Sequence, residues 1–84
     1  MERIRTERLN DGWRHFIGED EVLSGDVIEV LKDENWIAGR YEAQGLNNVE
    51  TMPLAFLELD ETNYIKLRDG MLARLPGRHK APSH

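Results

Sequence analysis

The chain holds few groups able to act as nucleophile or base near neutral pH: His15, His79, His84, Ser24 and Ser83, with no cysteine. Nucleophilic catalysis needs a nucleophile beside a base that a third group orients. Ser24 sits in Ser24-Gly25-Asp26, where a hydroxyl that bonds nearby backbone is the ordinary turn device. Ser83, His79 and His84 fall in the terminal stretch. His15 is the one histidine inside the strand-forming part, and as an edge-strand side chain it is expected in water. No catalytic residue is assigned, and the chain is expected not to be an enzyme.

Metal and phosphate chemistry lack their spacing too. Glu19-Asp20-Glu21 are adjacent carboxylates without a ligand pattern. Asp33-x-Asn35 followed by Gly39 misses the calcium-loop template, because the glycine comes one place late and no glutamate closes the loop. Gly25 and Gly39 stand alone rather than in a phosphate-cradling run. No metal and no cofactor are expected.

Charge is the stronger signal. The net charge of −5 is unevenly spread. Residues 1–18 carry four basic and three acidic side chains, residues 19–61 two basic and twelve acidic, and residues 62–84 five basic and one acidic. The plain reading of the acidic middle is a solvated face. The sharper one is a surface that meets a larger protein with a basic surface. Its candidate residues are Glu19, Asp20, Glu21, Asp33, Glu34, Glu58, Asp60 and Glu61, with Trp36 as an anchor. The alternative is nucleic-acid binding through Arg3, Arg5, Arg8, Arg74, Arg78 and Lys80, which form one patch if the termini are neighbours.

These residues need a scaffold, and 84 residues suffice for one core. Hydrophobic residues make up 39% and charged residues 32% of the chain, a thin-cored globular composition rather than a disordered one. No run approaches the ~20 apolar residues of a membrane helix. Met1-Glu2-Arg3-Ile4-Arg5 lacks a signal-peptide core, so the protein is expected in the cytoplasm, without a membrane partner.

Helical periodicity is scarce, whereas short strand-like runs recur between turn residues. They are Trp13–Ile17, Val27–Leu31, Trp36–Glu42, Leu54–Leu59, Tyr64–Leu67 and Met71–Leu75. The polar link between the second and third runs predicts a hairpin. Thr6–Asn10 reads equally as strand or short helix. Glu19-Asp20-Glu21 reads as a polar turn, Ala43–Thr51 as a mobile loop, and Gly39 as a bulge or bend. The expected fold is all-β, a small SH3-like barrel of five or six short antiparallel strands. It forms one domain over residues 1–76, with residues 1–12 open, followed by a disordered basic tail at 77–84. Ile28, Val30, Ile37, Tyr41, Leu57, Ile65 and Leu67 are expected to face its core. Trp36 and Tyr41 fall on opposite faces of one strand, which leaves Trp36 half exposed and argues against a shared aromatic peptide groove.

Three stretches carry a resemblance: Leu23-x-Gly25-Asp26-x-Ile28-Glu29-Val30, Trp36-Ile37-x-Gly39-Arg40-Tyr41-Glu42, and Ile65-x-Leu67-x-x-Gly70-Met71-x-Ala73-Arg74. With the order of elements, they resemble SH3-like barrels. More narrowly, the chain is similar over residues 13–75 to small uncharacterised bacterial proteins often carried on mobile genetic elements. The resemblance implies a barrel, and its mobile-element setting suggests one concrete form of the acidic-surface, non-enzymatic interaction module: an inhibitor that mimics nucleic-acid charge, such as an anti-defence protein. It carries no site residues.

Overall fold

The computed structural model describes residues 2–76. The sequence expectation for the tail at 77–84 lies outside the described residues. Eight strands run through the described chain: β1 Ile4–Leu9, β2 Gly12–Ile17, β3 Asp20–Val22, β4 Val27–Lys32, β5 Asn35–Gln44, β6 Leu54–Glu58, β7 Tyr64–Lys66 and β8 Ala73–Arg74. They form two antiparallel sheets, a smaller one ordered β1-β2-β3 and a larger one ordered β7-β6-β5-β4-β8.

Turn chemistry sets the hairpin registers. Lys32 pairs with Asn35, so Asp33 and Glu34 alone make the β4–β5 turn. Both have positive φ (52° and 69°). That is the conformation of a type I′ turn, whose twist matches the flanking strands. Ile17 pairs with Asp20 across another two-residue turn, Gly18-Glu19, in which only Gly18 has positive φ (63°). In the turn before β4, Asp26 supplies the side-chain bond expected of Ser24: the Leu23 amide donates to its carboxylate at 2.8 Å.

Two strands exceed the expected number. Of Thr6–Asn10, all but Asn10 belongs to β1, and β3 occupies most of the run read as a polar turn. Its single apolar residue, Val22, points inward while both its acids flank solvent, so alternation over three residues gave no strand signal.

The sheets join near the two ends of the described chain. Arg3 bridges Leu72, the Ile4 amide donates to Met71 O at 2.8 Å, Gly70 N donates to Ile4 O at 2.8 Å, and Ala73 N donates to Glu2 O at 3.0 Å. Elsewhere the sheets end in two three-residue edge strands: β3 pairs with β2 and β7 with β6, but β3 and β7 do not pair with each other. The described strands therefore do not close into a barrel.

Between the sheets lies the core. Ile4, Ile17 and Val22 come from the smaller sheet, and Ile28, Val30, Tyr41, Ala55, Leu57 and Ala73 from the larger, with Leu67 and Leu75 closing the ends. Five of the seven expected core residues are buried, and Ile37 and Ile65 pack against them partly exposed. Gly39 is not a bulge, because its pairing with Ile28 is in unbroken register. A Cβ there would lie 2.6 Å from Glu58 O and 2.7 Å from Leu57 Cγ. Glycine is required where β6 crowds β5, at the point where β5 leaves β4 and begins to pair with β6.

The stretch expected to be a mobile loop is tied down. Its first residues, Ala43 and Gln44, belong to β5. Beyond them, Trp13 N donates to Leu46 O at 2.6 Å and the Trp13 indole donates to Asn48 O at 2.7 Å. Gly12 makes this approach possible: a Cβ there would stand 2.1 Å from Leu46 O, and its φ is +147°.

Candidate functional site

Side-chain alternation turns one face of the larger sheet outward. Arg40 lies at its centre, opposite Glu58 across the β5–β6 ladder. Arg40 Nη2 is 2.9 Å from Glu58 Oε1 and Nε is 3.4 Å from Glu42 Oε2. The hydrogen bond and charge of Glu58, then the charge of Glu42, hold its pKa above the ordinary value. Toward β7, Phe56 and Tyr64 meet edge to face with ring centroids 5.3 Å apart. Toward β8, the Arg74 guanidinium lies 4.0 Å over the Trp36 ring and bonds Glu29.

Beside Arg40 opens a recess of about 600 Å³ at the β6–β7 end. Val27, Ala38 and Leu59 give it an apolar floor, and Glu58, Asp60 and Glu61 an acidic rim. Val27 is 58% and Leu59 40% exposed, so the floor meets water. Asp60 is held by its own turn: its Oδ1 accepts from Thr62 N at 2.9 Å and from Asn63 N at 2.9 Å, and the Asn63 amide group reaches Oδ2 at 3.0 Å. The Asn63 side chain first, then the turn amides, keep its pKa below the ordinary carboxylate value. This charge is fixed in place and stays ionised.

The other sequence-predicted acids lie elsewhere. Glu19, Asp20 and Glu21 are not one exposed turn. Glu19 is in the β2–β3 turn, whereas Asp20 and Glu21 point to opposite faces of β3. Asp20 lines a recess with Glu2, Glu29 and Arg74, and Glu21 lies 3.4 Å from Arg14. Asp33 and Glu34 cap the tip of the β4–β5 hairpin, where Lys32 is 3.5 Å from Asp33. Trp36 shares the outer face but is half-buried under Arg74. Of the acidic set, folding brings Glu58, Asp60 and Glu61 together.

The ends of the described chain are neighbours, as the arginine alternative requires, but Arg3, Arg5 and Arg74 are engaged there. Arg3 donates to Gly70 O at 2.8 Å. Arg5 bonds Glu7 at 2.7 Å and stacks over Phe16 at 4.9 Å. Arg74 is bound to Glu29. Arg8 is exposed, and Arg78 and Lys80 lie outside the described residues.

The chain matches no family model, no curated protein and no solved structure.

His15 overturns its expectation. It is 5% exposed, on the inner face of β2 beside Ile17, and its Nδ1 lies 2.5 Å from the Tyr41 hydroxyl of β5. Desolvation lowers its pKa, partly opposed by the charge of Asp69. The missed signal was period two: Trp13, His15 and Ile17 share one face, and an apolar face faces the core. Among the described residues no group of three or more His, Cys, Asp or Glu side chains is placed to hold a metal ion.

Proposed function

We propose that this protein is a non-enzymatic interaction module, an SH3-like barrel left open along one side, that binds a basic segment of a larger cytoplasmic protein in the Glu58–Asp60–Glu61 recess. The carrying observation is the pairing of an exposed apolar floor with an acidic rim. Lysine and arginine have this same division, an apolar stem below a charged head. The stem covers Val27, Ala38 and Leu59 while the head meets carboxylate. Arg40 occupies one end and neutralises Glu58, so the cation is directed to Asp60 and Glu61 at the other. Tyr64, 64% exposed beside Phe56, extends the surface with aromatic area of the kind that anchors interfaces.

A nucleic-acid mimic from a mobile element is the narrower form of this reading. Mimicry by charge spacing calls for carboxylates in a row along one face. Here they divide among the β6–β7 recess, the β4–β5 tip and the smaller sheet, which favours a local basic segment over a mimicked phosphate array.

The probe is a short peptide of alternating lysine and valine, followed by amide chemical shifts. Saturable shifts are expected at Val27, Ala38 and Leu59 to Asn63, weakening with added salt, because screening shortens the reach of exposed charges. Glu61→Lys should reduce affinity several-fold and leave the fold unchanged, since Glu61 is exposed. Shifts spread evenly over Asp20, Asp33 and the recess would discard the site. Tighter binding of duplex DNA, with shifts at Arg3 and Arg8, would favour the alternative.

A further inference from the structure

We propose that His15 and Tyr41 form an acid-released latch between the two sheets: when the His15 ring takes a proton, β2 loosens from β5. The contact joins the smaller sheet to the larger through the core, because His15 lies on β2 and Tyr41 on β5. Burial pushes the Tyr41 phenol well above its ordinary pKa, with the charges of Glu21, Glu42 and Asp26 adding to the effect, so it keeps its proton. The phenol has one hydrogen-bond partner among the described residues, His15 Nδ1. Its proton is used only if Tyr41 donates and Nδ1 accepts. That fixes neutral His15 as the tautomer with hydrogen on Nε2.

Protonation breaks this assignment. Both ring nitrogens become donors, so Tyr41 has to turn from donor to acceptor and its own proton loses its place. A charge also enters a site 5% exposed. The charged groups around the ring do not cancel that cost. Asp69, from the β7–β8 connection, favours the imidazolium, yet desolvation outweighs it. Arg68, on the same connection, lines the same cavity and brings no compensating negative charge. On β1 the ring faces Thr6, with Arg8 further along at the exposed end, and on β3 it faces Val22.

Water has a route to the ring. A cavity of about 170 Å³ is lined by His15, Thr6 and Asp69, with Met52 and Pro53 among its apolar walls. At ~30 Å³ per molecule it has room for several waters. Solvent therefore reaches the latch without general unfolding.

The sign follows from linkage. The folded ring binds its proton less well than a ring in water, so the closed contact is fully stable above about pH 6.5 and weakens as pH falls from there toward the depressed folded value. Over that window opening becomes roughly tenfold easier per pH unit, because one proton is taken up. Ordinary carboxylates titrate lower, near pH 4, which leaves pH 5–6.5 to His15 among the described residues.

The test is amide hydrogen exchange on the full chain between pH 5 and 7.5, corrected for intrinsic rates, with the His15 ring titration followed by NMR. Ile17 and Val22 amides are expected to open up to tenfold more readily per unit below pH 6.5, while Val30 and Leu57 stay flat. The double variant His15→Phe with Tyr41→Phe removes both polar groups and should abolish the dependence. An equal acid slope in that variant overturns the latch. If the variant fails to fold, the wild-type chain still decides: a His15 ring titrating at or above 6.5, or flat exchange at Ile17 and Val22, overturns it.

Discussion

Tyr41 carries a polar group into the core. Its ring is fully buried, and its hydroxyl meets the buried His15. Tyr41→Phe keeps the ring and leaves Nδ1 of His15 without its donor. A buried acceptor stripped of its partner costs about 1–3 kcal/mol. Urea denaturation at pH 7.5 should show that loss, and a stability equal to wild type would show the hydrogen bond to be idle. That Tyr41 faces the core was legible in the sequence from its alternation with Ile37 and Gly39. The partner was not. A histidine between Arg14 and Phe16 looks solvated until β2 is known to have a strand on each side, with Thr6 and Val22 as its neighbours. Burial of a polar residue depends on what it pairs with, and a single strand does not record that.

At the level of elements, hairpins were readable and long-range ties were not. The β4–β5 hairpin follows from its polar link, and the β6–β7 connection from Asp60 to Asn63. β3 escaped because its three residues contain two acids. The acidic recess was half legible: Glu58, Asp60 and Glu61 are close in sequence, but their floor comes from Val27 and Ala38, which β4 and β5 bring alongside. The loop after β5 offered only glycine and asparagines, which signal a turn and say nothing of what holds it. Trp13 holds it, through its backbone and its indole. Trp13→Phe preserves the ring but removes the indole donor to Asn48, and a net hydrogen bond of this kind contributes about 0.5–1.5 kcal/mol. Faster amide exchange is expected across residues 46–51, with β4 unchanged. Gly12→Ala should act more severely on the same loop, since its Cβ meets Leu46 O and not a movable side chain.

At the scale of the molecule, the two sheets behave as one unit only if their seams hold. The terminal seam joins Glu2–Ile4 to Gly70–Ala73, and Ile4 carries it into the core. The two tryptophans report on the sheets separately, Trp13 from β2 and Trp36 from β5. Single-tryptophan forms made by Trp13→Phe or Trp36→Phe therefore allow each sheet's unfolding to be followed alone. At pH 7.5 the transitions reported by Trp13 and Trp36, each set against the overall far-UV signal of its own variant, should coincide with it, the mark of two-state unfolding. Ile4→Ala removes a buried side chain at the seam, and large-to-small changes of this type cost about 2–5 kcal/mol. In a domain this small the loss should move both reporters together, because the seam serves both sheets. Acid should act differently. At pH 5.5, with His15 protonation favouring the loosened state, the Trp13 transition is expected at lower urea than the far-UV transition of its own variant, whereas the Trp36 transition does not precede its own. A shift of both reporters by the same amount would mean that the latch and the seam belong to one indivisible core, whereas separation at pH 5.5 alone assigns the acid response to β2.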